Sequence, residues 1–199
     1  RWSDDLADEA ESPAVAAAAL AAWRDELEAC GRGSPRHPIL VALATTIARH
    51  GLTLKPFHDL LDAFEQDQQV VRYASREQLL DYCRRSANPV GRIVLALGGC
   101  REPQRQAESD AICTGLQLIN FWQDVRRDRI AGRIYLPADD MQRHGVCESD
   151  LDAPQASPAL RRLLAEEVAW AEACFATGEP LKRLGPAALP SRPMPTLPH

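Results

Sequence analysis

Apolar positions along this chain recur at helical spacing almost throughout. Phe57, Leu60, Leu61 and Phe64 stand at i, i+3, i+4 and i+7, the one-sided stripe of a helix lying on a core. The same period predicts helices over 39–50, 76–86, 90–97 and 158–177, separated at Gly51, at Asn88-Pro89 and at Gly98-Gly99. An Ala-, Leu- and Glu-rich run over 14–29, with Pro13 at its first turn and Gly31 and Gly33 behind it, predicts another. The longest covers 104–127. No segment alternates apolar and polar residues for more than a few positions and no repeat of fixed period occurs, so an all-α bundle follows.

Composition narrows this picture. The chain has 199 residues, 45% of them hydrophobic and 26% charged, enough for one core that buries roughly 70% of the unfolded surface without disulfide or structural metal. One helical domain over 1–184 is expected. Beyond it Pro186, Pro190, Pro193, Pro195 and Pro198 predict a disordered tail over 185–199. The net charge of −5 excludes a strongly basic nucleic-acid footprint. The apolar runs 14–23 and 38–48 are too short to span a membrane, and a cytoplasmic protein is expected. Six cysteines without a C-x-x-C pair read as reduced packing residues, and His37, His50, His58 and His144 as surface or capping groups.

The chemistry is concentrated on the longest predicted helix. Gln117, Asn120, Asp124 and Asp128 fall within roughly 80° of one another at 100° per residue, while Arg126 lies nearly opposite and Gln123 to one side. One polar face suffices for solubility, so the second, made of carboxylates and carboxamides, is a candidate cavity wall. Two carboxylates at i and i+4 repel, and a cation removes the conflict; Mg²⁺ commonly binds through one or two carboxylates plus substrate phosphates. Asp4 and Asp8 form a second such pair, and two pairs on different helices of a bundle can hold metal ions around a diphosphate. The bland alternatives are a solvated acidic helix start at Asp4–Asp8 and a surface pair bonded to Arg127 or Arg129 at Asp124 and Asp128.

Three stretches together resemble the squalene and phytoene synthase family of head-to-head prenyltransferases. Residues 116–128 (LQLINFWQDVRRD) followed by 132–137 (GRIYLP) resemble its second aspartate-rich signature, 4–8 (DDLAD) the first, and 82–91 (YCRRSANPVG) the one between. Their order and spacing agree. The SANPVG turn, and Gln123 where most members carry Arg, resemble the hydroxysqualene-forming branch found in bacterial hopanoid synthesis.

The resemblance implies an isoprenoid-synthase-type bundle that ionises presqualene diphosphate and lets water capture the carbocation. A sister presqualene diphosphate synthase would supply the substrate and a flavin-dependent reductase would consume the hydroxysqualene. It further implies Mg²⁺ held by Asp4, Asp8, Asn120, Asp124 and Asp128, phosphate contact by Arg1, and Gln117 in the same region. Tyr82 matches the family tyrosine near the reacting carbons; its alternative reading is a core-packed aromatic. Val90, Ile93, Val94, Leu97 and Ile119 are candidates for a tunnel holding the prenyl tails, and the Gly132–Pro137 loop, with Arg133, for a lid over the diphosphate. So greasy a substrate and product imply contact with a membrane surface. Two alternatives stay open: a squalene, dehydrosqualene or phytoene synthase of the same fold using farnesyl or geranylgeranyl diphosphate, and an inactive helical fragment serving as an interaction module. Family members carry further helices at both ends, so the chain reads as truncated there, with weak or no turnover and an exposed apolar face expected.

Overall fold

Eight α-helices account for most of the described residues, 12–183, in the computed structural model of the chain. They are α1 (Pro13–Gly31), α2 (Pro38–His50), α3 (Lys55–Asp67), α4 (Arg76–Ser86), α5 (Asn88–Leu97), α6 (Pro103–Ile130), α7 (Ala138–His144) and α8 (Pro158–Gly178), with 3₁₀ turns at Glu148–Leu151 and Glu179–Arg183. Among these residues the only β pairing is an isolated bridge between Arg72 and Ile134.

Local chemistry explains the boundaries. Ser12, Ser75 and Ser157 each accept a backbone N–H of the following first turn, of Val15, Gln78 and Leu160. Proline stands in the first turn of α1, α2, α3, α5, α6 and α8, where its missing N–H costs nothing. This corrects the expectation that Asn88-Pro89 separates two helices. The break is at Ala87 (φ −115°, ψ −50°), and Asn88 and Pro89 open α5. The central helix runs on to Ile130, because nothing before Gly132 stops it and Arg127 and Arg129 suit a C-terminal turn. The seven-residue α7, too short to show a period, is held by Asp139 and Asp140 in its first turn and Arg143 and His144 in its last.

Packing is layered around α6. On one side lies α8, which approaches so closely that a Cβ at Gly115 would sit 3.1 Å from the Phe175 ring and 3.2 Å from the Ala171 carbonyl oxygen. On the other lies α5, where a Cβ at Gly91 would sit 2.4 Å from Ser109 Oγ and 2.6 Å from Cys113 Sγ. The main core gathers Tyr73, Leu79, Tyr82, Leu118, Phe121, Trp122, Ile134, Leu136 and Leu163, and a second cluster of Leu20, Leu27, Leu40 and Leu61 joins α1, α2 and α3. Of the cysteines, Cys30 and Cys83 are buried as expected, whereas Cys147 is exposed, its backbone N–H bonded to Asp150 at the start of a 3₁₀ turn. His37 caps α2 through Nδ1, and His58 and His144 contact Glu28 and Glu166.

Candidate active site

The polar stripe of α6 is covered by α5 over only part of its length, because α5 is the shorter helix. Asn88 accepts a hydrogen bond from Thr114 Oγ1 (3.0 Å), Gly91 lies against Ser109 and Cys113, and Arg92 grips Asp110 with two bonds of 2.9 and 2.5 Å. These α6 positions and Gln117, Asn120, Phe121, Asp124 and Asp128 lie within roughly 140° on one face of the helix. The first half of that face is covered by α5. Past Asn88 the helix α5 has ended, and the same face continues beyond its cover as carboxamides and carboxylates around the buried Phe121: Gln117, Asp124 and Asp128 are half-buried and Asn120 exposed.

Electrostatics mark this stretch as unsettled. Burial, and then the charge of Asp124 one turn away, push the Asp128 carboxyl above its ordinary range, against the pull of Arg127 and Arg133. Asp124 does contact Arg127 at 3.6 Å, but that guanidinium is 83% exposed, so the pair is weak. Arg129 is committed elsewhere, to Asp152 and Glu148. An oxygen-rich donor set with residual like-charge repulsion suits a hard divalent cation: Asn120, Asp124 and Asp128 would hold it from this side. Arg1, Asp4 and Asp8 lie outside the described residues.

An aromatic floor adjoins the carboxylates. Phe121, one turn before Val125 and on the same face as Asp124, stacks on Tyr135 with ring centres 3.9 Å apart, and Tyr135 in turn lies 6.2 Å from Tyr82 and 5.6 Å from Tyr73. Tyr82 is buried, and its hydroxyl donates to Asp67 Oδ2 at 2.9 Å. Burial, reinforced by the negative charge of Asp67, raises both phenols, Tyr135 to about 12 and Tyr82 further, so both stay neutral hydrogen-bonding groups. Tyr82 is thus packed in the core and is also part of the floor beside the carboxylates.

The loop after α6 brings Arg133 back to the stripe, its backbone N–H bonded to the Asp128 carbonyl (2.8 Å). It is not built as a lid. Arg72 Nη1 donates to the Gly132 carbonyl, Ile134 N–H to Val71, and Ala138 N–H to Tyr73, while Ile134 and Leu136 are buried. These anchors make the loop a fixed wall.

The apolar candidates separate. Val90 (51% exposed), Val94 (62%) and Leu97 form an uncovered stripe on α5, and Leu116 (53%) does so on α6. Ile119 packs against the main core instead, and Ile93 lines a different cleft of about 260 Å³ with Lys55, Arg92 and Arg101. The sequence pattern did not single out Asp67, Phe121, Tyr73 or Tyr135. Tyr135 stood in a quoted motif, but only the folded loop shows that it stacks on Phe121; Asp67 carries no periodic signal at all.

A helical bundle that carries a half-buried carboxylate stripe beside exposed apolar positions has the architecture of isoprenoid synthases. Over residues 1–195 the chain matches the model of the squalene/phytoene synthase family, and it belongs to that family. It is 39% identical over 169 residues to the hydroxysqualene synthase of Zymomonas mobilis, covering 82% of this chain and 55% of that protein. To the phytoene synthase of Arthrospira platensis it is 31% identical over 192 residues, covering 90% of this chain and 62% of that one. Its structure superposes on squalene synthase HpnC from Alicyclobacillus acidocaldarius with a TM-score of 0.88 at 42% identity, covering 94% of this chain and 70% of that one. The chain therefore spans about half the length of the hydroxysqualene synthases it matches.

Proposed function

We propose that this chain carries the α6 half of an active site that removes diphosphate from presqualene diphosphate and lets water add to the rearranged carbocation, giving hydroxysqualene. The observation that carries the proposal is the continuation of the α5-packing face of α6 into Gln117, Asn120, Asp124 and Asp128 where α5 ends. The similarity to hydroxysqualene synthases at 38–39% identity supports the choice of reaction. By their chemistry, a presqualene diphosphate synthase supplies the substrate and a flavin-dependent reductase consumes the alcohol.

Asp124, Asp128 and Asn120 would hold Mg²⁺, with Asp4 and Asp8 as the further ligands the family resemblance implies, and the ion would supply Lewis-acid stabilisation of the departing diphosphate. Arg133, whose backbone N–H bonds the Asp128 carbonyl, binds the phosphates, a role the family resemblance also gives to Arg1, and the Gln117 carboxamide orients them. The stacked rings of Phe121, Tyr135 and Tyr82 give the reacting carbons an apolar, polarisable floor, of which the half-buried Tyr135 is the accessible member. Asp67 fixes the Tyr82 hydroxyl so that it stays a neutral donor during turnover. Val90, Val94, Leu97 and Leu116 give the prenyl tails an apolar wall.

Phytoene synthases are similar over 90% of this chain, so the competing reading is condensation of two prenyl diphosphates. Mass spectrometry of products separates the two. Presqualene diphosphate and Mg²⁺ are expected to yield a C30 alcohol, reduced about a hundredfold or more in Asp124→Asn. A hydrocarbon from farnesyl or geranylgeranyl diphosphate, with no alcohol from presqualene diphosphate, would replace this reaction with the competing one.

A further inference from the structure

We propose that the outer face of α2 docks on an anionic lipid surface. The proposal stands on that face alone and is independent of which prenyl diphosphate the active site accepts.

Residues 31–58 contain no Asp or Glu, although the chain has 28 of them, and they contain Arg32, Arg36, Arg49 and Lys55. Arg36 is paired with Glu26 and Lys55 with Asp59, both just outside the stretch, so Arg32 and Arg49 carry its excess positive charge. In the middle of it α2 is uncharged from Pro38 to Ala48. Leu40 is buried against Leu20, Leu27 and Leu61, with Leu43 packed beside it. Pro38, Val41, Ala42, Thr45, Ala48 and Arg49 fall within roughly 120° on the opposite side and are all exposed, Val41 at 47%. Ile39 flanks them, also exposed.

The polar atoms on this face are already satisfied. Thr45 Oγ1 donates to the Val41 carbonyl at 3.3 Å and Thr46 Oγ1 to the Ala42 carbonyl at 3.2 Å, so removing the face from water strands no hydroxyl. At the C-terminal end Arg101 donates to the Gly51 carbonyl (3.1 Å) and to that of His50, adding a further cation beside Arg49.

Apolar groups with cations at both ends match the boundary between acyl chains and anionic headgroups. The same charges disfavour a second copy. A two-fold contact through this face would set Arg49 near its own equivalent, with no carboxylate on the face to pair with it.

Vesicle flotation tests the proposal, using phosphatidylcholine alone and phosphatidylcholine mixed with phosphatidylglycerol. The chain is expected to float with the mixed vesicles, less at high salt, and weakly or not at all with phosphatidylcholine. Arg32→Glu with Arg49→Glu should lower binding about tenfold or more, at about a kcal/mol per cation near the surface. Val41→Asp with Thr45→Asp should abolish it, and because both positions are exposed the variant should keep its helical circular dichroism and melting. No flotation with mixed vesicles, or equal flotation of the Val41→Asp/Thr45→Asp variant, would overturn the proposal. So would a concentration-dependent dimer in sedimentation that the same variant dissociates, which would assign the face to a second copy.

Discussion

Gly91 shows how narrowly single residues set the geometry of this bundle. Its missing side chain lets α5 settle onto Ser109 and Cys113, and that approach places Asn88 against Thr114 and ends α5 where the carboxylate stripe begins. Gly91→Ala brings a methyl group to 2.4 Å from Ser109 Oγ and 2.6 Å from Cys113 Sγ, so these side chains must rotate away or the helices part. A loss of about 1–3 kcal/mol in urea unfolding is expected, partly restored by adding Ser109→Gly. Tyr82→Phe makes a different kind of demand. It keeps the ring stack with Tyr135 and removes the donor to Asp67 Oδ2, so a loss of about 1–3 kcal/mol is expected from the buried acceptor left behind. A variant as stable as wild type would show that the Asp67 contact contributes nothing to the fold.

Between elements, the bundle is tied by a buried ionic cluster that no period in the sequence announces. Arg76, at the start of α4, reaches Asp140 on α7 (2.7 Å) and Glu166 and Glu167 on α8 (2.9 and 3.1 Å), and lies 4.9 Å from the centre of the Trp170 ring. Arg143 joins Asp140 and Glu166, and His144 contacts Glu166 at 2.8 Å. Glu167 is wholly buried. Burial, and next a hydrogen bond to Asp140, raise its carboxyl to about 7, while burial opposes but that bond and Arg76 hold Asp140 low. Glu167 is therefore the protonated partner. Because the folded state holds a proton that the unfolded chain releases near its ordinary value of 4.5, the Glu167 contribution to stability is full below that value and is lost as pH rises through about 7. The expected decrease is up to about 3 kcal/mol, followed by a plateau. Glu167→Gln keeps a donor toward Asp140 without the titration, so its unfolding free energy should be flat over that interval. A wild-type profile equally flat would show that the two carboxyls share no proton. The contrast with α6 explains what the sequence made legible. Helices reveal themselves by apolar period, and Gln117, Asn120, Asp124 and Asp128 by sharing a face. Arg76, Asp140 and Glu167 come from three elements, and the Asp67–Tyr82 bond joins two, so only the fold brings them together.

At the scale of the molecule, α6 works as a beam held by α8 on one side and by α4 and α5 on the other, and the site lies where the second support stops. Such a beam should tolerate loss of its carboxylates, because they serve a ligand and not the bundle. Asp124 has one weak contact, to Arg127, and lies one turn from Asp128, so Asp124→Asn removes about as much repulsion as attraction. Its melting temperature without ligand is expected to equal that of wild type or rise slightly. With Mg²⁺ and inorganic pyrophosphate together at about a hundred times their dissociation constant, wild type gains about 2.7 kcal/mol, a rise of about 5–10 °C for a chain of this size. Asp124→Asn should lose most of that rise, and Asp124→Asn with Asp128→Asn all of it. Scanning calorimetry of the three proteins, with each ligand alone and with both, checks this. An equal rise in all three would place the pyrophosphate away from α6. A fall in the unliganded variants would make these carboxylates part of what holds the helices together, and the separation of scaffold from site drawn above would be wrong.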